Sequence, residues 1–256
     1  MKSNNLQTIY VMWLREMKRL LRAKSRILSI LVMPFFFLVS MGFGFRGNIV
    51  LEGMPQEIDY INFLAPGLIG MVLLFSSMSS GISVLWDKEF GFLKEIMVAP
   101  VRRWAVILGR IAGGATIALI QGILILIISF LMGFKIINMA SLFLTFLFMI
   151  LISVGFLGLG VAIASIVEDM HAFPLVMRFI TFPAFLFSGA FFPVANFPKL
   201  LRFLSYINPL TYGVDALRGS LIGFSQFPLF LNLGNLLIFG LTMVALSSYL
   251  FSRTEV

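Results

Sequence analysis

The sequence predicts an all-α integral membrane protein. It reads as six transmembrane helices with an N-terminal amphipathic elbow helix, a short amphipathic helix after the second span, and a re-entrant helical hairpin between the fifth and sixth. Three observations carry this. Of the 256 residues, 60% are hydrophobic and 12% charged, against about 25% charged in a soluble domain. Mean hydropathy is +1.03. Apolar runs long enough to cross roughly 30 Å of hydrocarbon alternate with short polar loops. The whole chain, 1–256, is read as one transmembrane domain, divided into 1–26, 27–191, 192–227 and 228–256. The formal charge of +8 sits mainly at the ends of apolar runs, which suits anionic lipid headgroups and topology rather than nucleic acid. The absence of cysteine excludes disulfides and thiolate metal sites. No cleavable signal peptide is expected, because the first apolar run begins near Ile27 with no small-residue cleavage motif behind it.

Residues 5–26 place Leu6, Ile9, Tyr10, Trp13, Leu14, Met17, Leu20 and Leu21 on one helical face. Arg15, Lys18, Arg19, Arg22 and Arg26 fall opposite. Such a helix lies in the membrane interface with its apolar side among acyl chains, and it also serves as a positive topology anchor. The six runs are then 27–45, 62–85, 105–133, 141–167, 173–191 and 228–251. Lysine and arginine crowd the N-terminal segment and the loop after the second run, whereas the loop after the first carries Arg46 against Glu52, Glu57 and Asp59. The positive-inside rule puts both termini in the cytoplasm.

The stretch 87–110 organises the reading. Asp87 reads as a helix cap followed by Lys88 and Glu89; Phe90, Leu93 and Met97 recur at helical spacing, and Pro100 stops the helix. This short helix, 88–99, is either a solvated connector or a coupling helix that presses its apolar face into a soluble partner.

The segment 192–227 is extracytoplasmic by topology yet apolar. It reads as two short helices, 198–206 and 209–222, dipping into the outer leaflet and packed on the bundle. Asp215 and Arg218 lie three residues apart and could pair as a structural clasp. Gly109 and Gly113 form a small-xxx-small pair suited to close helix contact.

Catalytic chemistry finds little support. The sole histidine, His171, sits beside Glu168 and Asp169 in a short turn without a second nitrogen ligand, and there is no HExxH pattern. With no GxxxxGK[ST] phosphate loop, the chain is not expected to bind ATP in the P-loop manner; no metal site and no cofactor of its own is expected. Arg178 lies about one turn inside the fifth run, so it either snorkels to headgroups or marks a functional site. With Phe182 and Phe185 it outlines a candidate translocation path for an amphipathic or lipid-like molecule.

These pieces resemble the type-2 ABC exporter permeases. The run EFGFLKEIMVAPVRRWAVILGR resembles their cytoplasmic signature at Glu89, Gly91, Pro100, Leu108, Gly109 and Arg110. The run FFPVANFPKLLRFLSYINPLTYGVDALRG resembles their second signature at Phe192, Pro193, Pro198, Leu201, Asn208, Pro209, Leu210, Thr211, Tyr212 and Arg218. Phe92 stands where the family often has threonine. The flavour is that of the daunorubicin-resistance and nodulation-factor permeases. The resemblance implies a plasma-membrane permease that pairs with a second copy, identical or a close paralogue, and docks separate ATPase subunits holding ATP and Mg. It implies that the coupling helix (Asp87, Lys88, Glu89, Phe90, Gly91, Leu93, Met97, Pro100) and the elbow helix (Trp13, Arg15, Arg19) transmit ATP-driven closure. A drug-like or lipid-like substrate would move outward along the second and fifth helices. The rival readings are a stand-alone secondary transporter or channel, which inverted repeats would favour, and a membrane scaffold without transport.

Overall fold

The structure, a computed structural model, describes residues 5–22, 24–44, 59–91, 101–136 and 141–253. The expected coupling stretch beyond Gly91, with Leu93, Lys94, Met97 and Pro100, lies outside the described residues, as do the loop 45–58 and the side chain of Arg26. Every regular element among the described residues is helical. In chain order they are α1 (Asn5–Arg22), α2 (Lys24–Gly44), α3 (Tyr60–Ser80), α4 (Ile82–Glu89), α5 (Arg103–Leu131), α6 (Leu142–Ile166), α7 (Ala172–Leu186), α8 (Lys199–Ile207), α9 (Pro209–Ile222) and α10 (Leu229–Arg253).

α3 is the central post. Nearly every side chain on it is buried, because α2, α5, α6, α7 and α9 surround it. Apolarity alone does not enclose it, since α10 is equally apolar and lies mostly on the outside of the bundle; its position among five neighbours does. Around it the outward faces remain apolar. Phe36, Phe179, Phe230, Ile238 and Leu241 are each more than half exposed. Such a surface would aggregate in water and is at ease in hydrocarbon. Among the described residues, four helical stretches are long and apolar enough to cross a bilayer: Tyr60–Glu89, Arg103–Leu131, Leu142–Ile166 and Leu229–Arg253. The protein is an integral membrane α protein.

One expected run comes out shorter. α7 has 15 residues, about 22 Å of helix against roughly 30 Å of hydrocarbon. Pro183 sits near its end, and the chain turns out of the helix through Gly189 at φ +77°. α2 spans 21 residues, Lys24–Gly44.

Glycine sets the closest helix contacts. A Cβ on Gly109 would meet the Cβ of Met12 at 2.6 Å and the carbonyl of Ile9 at 2.7 Å, and one on Gly113 would meet the Cβ of Glu16 at 2.7 Å. The expected small-residue pair therefore does permit a close approach, and the helix it admits is α1. The elbow helix thereby buries a stripe that the sequence reading did not assign to packing. Its buried stripe is Thr8, Met12, Glu16 and Leu20, facing α5, while Leu6, Tyr10 and Leu21 point outward.

Candidate functional site

Asp87 closes the gap between α1, α4 and α5. It lies in the last turn of α4, where Phe90 and then Gly91, at φ +74°, end the helix. This corrects the reading of Asp87 as a helix start. A glycine in the left-handed region is a helix terminator, and the Asp87 carboxylate is already committed to arginines. Arg15 Nη1 donates to its Oδ2 at 2.9 Å while Arg15 Nη2 donates to Oδ1, a two-pronged grip across 72 residues of sequence. Arg110 Nη2 donates to Oδ2 as well, and Arg19 Nη2 stands 3.7 Å from Oδ1. Asp87 is 2% exposed and Arg110 3%.

Glu16 joins the cluster from α1. It is 5% exposed, and its Oε1 lies 3.5 Å from Arg19 Nη1. Burial acts to lower the pKa of Arg15, but the hydrogen bond and charge of Asp87 outweigh it and hold the guanidinium more firmly charged than usual. A lone carboxylate in this position would lose several kcal/mol of hydration; paired to guanidiniums it is retained, and removing one partner strands the other. The remaining elbow residue, Trp13, donates its Nε1–H to Thr116 Oγ1 at 3.1 Å, fixing α1 to α5 a second time.

Lys88 turns the other way. Its Nζ donates to the carbonyls of Ser165 at 3.0 Å and Ala164 at 3.4 Å, in the last turn of α6, where free carbonyls and the helix dipole favour a cation. Arg103 likewise donates to the carbonyl of Ser252 near the end of α10. Glu89 and Phe90 face outward, and Phe90 is 78% exposed. Asp87 and Lys88 thus lock α4 to three helices, and the chain leaves this lock presenting an aromatic ring.

The predicted hairpin forms as two helices, but they pack unequally. α9 is enclosed by α3, α6 and α10, with Leu210 fully buried. α8 lies outside, with Leu200, Phe203 and Ile207 each more than 60% exposed. Both helices are apolar, so sequence alone does not separate the buried member from the peripheral one. The signature residues act as clasps. Pro193 precedes a 3-10 turn, Val194–Asn196. Asn208 accepts from Leu210 N at 3.1 Å and donates to the Ala184 carbonyl at 2.6 Å, capping α9 and holding the end of α7. Pro209 occupies the first turn, where its missing N–H costs nothing. Tyr212 donates to the Tyr206 carbonyl at 2.8 Å, bracing α9 against α8.

Asp215 and Arg218 do not pair with one another, contrary to the expectation. Asp215 accepts from Gln226 N, Phe227 N, Ser225 Oγ and Asn232 Nδ2 at 2.7–3.0 Å, drawing the connector and the start of α10 onto α9. Arg218 donates to the Gly189 carbonyl at 3.0 Å and lies over the Phe63 ring at 3.7 Å. One helical face cannot serve both ends, so each side chain reaches a different neighbour.

The candidate translocation residues divide. Arg178 and Phe182 line a groove of about 500 Å³ between α2, α3, α4 and α7. Phe185 is 2% exposed and packs edge-on against Phe75 and Phe191, inside the core. His171 stays apart from all of this; its backbone N–H donates to Asp169 Oδ1 at 2.7 Å, an ordinary turn, and no metal-holding group of acids and histidines occurs among the described residues. Glu16 is the residue that sequence reading missed, and Arg110, named there only as part of a signature match, was given no role. Arg110 carried the same signal as Arg178, an arginine inside an apolar run, while Glu16 was hidden among surface-like charges.

The pattern of ABC-2 type transporters matches residues 7–222. The chain belongs to the ABC-2 type transporter family. Its relatives include the inner membrane transport permease YadH of Escherichia coli K12, 26% identical over 233 residues, or 89% of this chain and 88% of that protein. The putative transport permease ycf38 of Cyanophora paradoxa is 24% identical over 214 residues, covering 83% and 73%. The probable multidrug ABC transporter permease YbhR of E. coli K12 is 29% identical over 182 residues, covering 65% and 49%. This ABC-2 chain is accordingly a membrane transport permease.

Proposed function

We propose that this permease is the membrane subunit of an ABC exporter. It moves an amphipathic, drug-like or lipid-like molecule outward with ATP and Mg held by a separate nucleotide-binding subunit, and it works as a pair of permease chains. The elbow helix lies in the cytoplasmic leaflet of the plasma membrane, both termini are cytoplasmic, six helices cross the bilayer, and the 192–227 hairpin dips into the outer leaflet. The observation that supports this reading best is the Asp87 cluster. It joins α1, α4 and α5 by ion pairs and leaves the exposed Phe90 at the mouth of the 87–110 loop. A partner pressing on that loop would move three helices together rather than bend one. The permease name of the relatives, and of YbhR as a probable multidrug ABC transporter permease, supports the substrate class.

Inside-out vesicles holding the permease and its cognate ATPase test this. ATP should drive uptake of at least one amphipathic compound from a panel, and the β–γ-imido analogue of ATP should not. Uptake driven by an ion gradient with no ATPase present would replace this reading with a secondary transporter.

A further inference from the structure

The groove beside α7 combines features that belong together chemically. Pro174, Arg178 and Phe182 follow one another at four-residue spacing along α7 and all face it. Met33 of α2 with Phe75 and Ser79 of α3 form further wall, and Trp86 of α4 also lines it. The wall is stiffened by the edge-on contact of Phe75 and Phe182, with centroids 5.4 Å apart. Among the described residues, no carboxylate lines it. Arg178 has no ion pair, hydrogen bond or ring contact with any other described residue, whereas Arg15, Arg110 and Arg218 are all engaged. Thr181, the other polar α7 residue in the lining, spends its hydroxyl on the Met177 carbonyl at 2.7 Å.

We propose that this groove binds an anionic amphiphile, its negative head seated on Arg178 and its apolar body laid along Met33, Phe75 and Phe182. The proposal rests on the transport reading and names the charge class of its substrate. The volume, about 500 Å³, falls within the range of small-molecule sites. Arg178 is exposed at the groove, and a guanidinium beside apolar walls favours a carboxylate, sulfate or phosphate over a neutral head. A neutral amphiphile would gain the same apolar contact and leave the cation uncompensated. A cationic one would meet like charge. Trp86 gives the site a route outward: Arg19 lies over its ring at 5.6 Å and 3.7 Å from Asp87, so whatever fills the groove borders the ion-paired lock.

The chain has three tryptophans. Replacing Trp13 and Trp104 with phenylalanine leaves Trp86 as a reporter on the groove. In phosphatidylcholine nanodiscs, dibromostearate should quench this reporter saturably, with an affinity at least about tenfold above that of the matching neutral dibromo-alcohol. Tenfold corresponds to about 1.4 kcal/mol. Arg178→Gln should abolish the preference for the acid, and Arg178→Lys should keep most of it, which separates charge from shape. Equal quenching by acid and alcohol, or a preference that survives Arg178→Gln, would overturn the proposal and leave Arg178 a snorkelling residue. A second arm distinguishes two sources of the same anion. If phosphatidylglycerol in the disc displaces the fatty acid, the occupant is a resident lipid headgroup; if it does not, the occupant is cargo. Both results keep the anion site. The readout uses no ATP, so its failure leaves the exporter reading intact, and failure of ATP-driven transport leaves this one intact.

Discussion

At the scale of residues, one carboxylate decides how the elbow helix is held. Asp87 is gripped by Arg15, Arg110 and Arg19 within a buried cluster. Asp87→Ala would leave the 3%-exposed guanidinium of Arg110 without its counter-ion. A broken buried pair of this kind costs about 3–5 kcal/mol. The detergent-purified variant should therefore unfold at clearly lower temperature or denaturant. Asp87→Leu with Arg110→Met, which removes both charges, should recover a large part of the loss. A single variant as stable as the parent would show that the cluster carries no net stabilisation. None of this was legible locally. An aspartate followed by Lys88 and Glu89 is the pattern of a helix start, and its partners lie 72 and 23 positions away. Burial of Asp87 is a property of three helices meeting.

At the scale of elements, the helices themselves were legible because apolar runs and their proline and glycine punctuation report them directly. α5, α6, α9 and α10 begin and end within a few residues of expectation. Which face each helix buries was less so. On α1 the apolar side was assigned to lipid, yet Gly109 and Gly113 draw Thr8, Met12 and Glu16 inward. Gly113→Leu would drive its side chain into Glu16 and force α1 away from α5. In a chain keeping only Trp13, the loss of its bond to Thr116 should shift emission to the red, and unchanged emission would mean α1 does not depend on this contact. The hairpin offers a parallel test. Because the chain lacks cysteine, single cysteines report access. A water-soluble thiol reagent should label Lys199→Cys, on exposed α8, much faster than Leu210→Cys, which is fully buried on α9. Equal rates would mean that α9 is not enclosed.

At the scale of the whole molecule, the polar groups that matter cluster at helix junctions: Asp87 and Lys88 at one, Asp215 and Arg218 with Asn208 at the other. Between them the bundle is mostly apolar, with a few buried polar side chains such as Ser77, Gln121 and Ser153, and is packed through glycine. In the exporter proposed above, the 87–110 loop receives a push from an ATPase and passes it to the helices. The direct measurement is co-purification of the cognate ATPase, with substrate-stimulated hydrolysis, for Leu93→Ala against Lys94→Ala. An interface anchor typically costs about 2 kcal/mol or more on truncation, roughly a thirtyfold loss of affinity. Leu93→Ala should lose docking and stimulation by about that factor, with insertion and pairing of the permease unchanged and the lysine control near normal. Full docking and full stimulated hydrolysis in Leu93→Ala would contradict the account and leave the loop a connector.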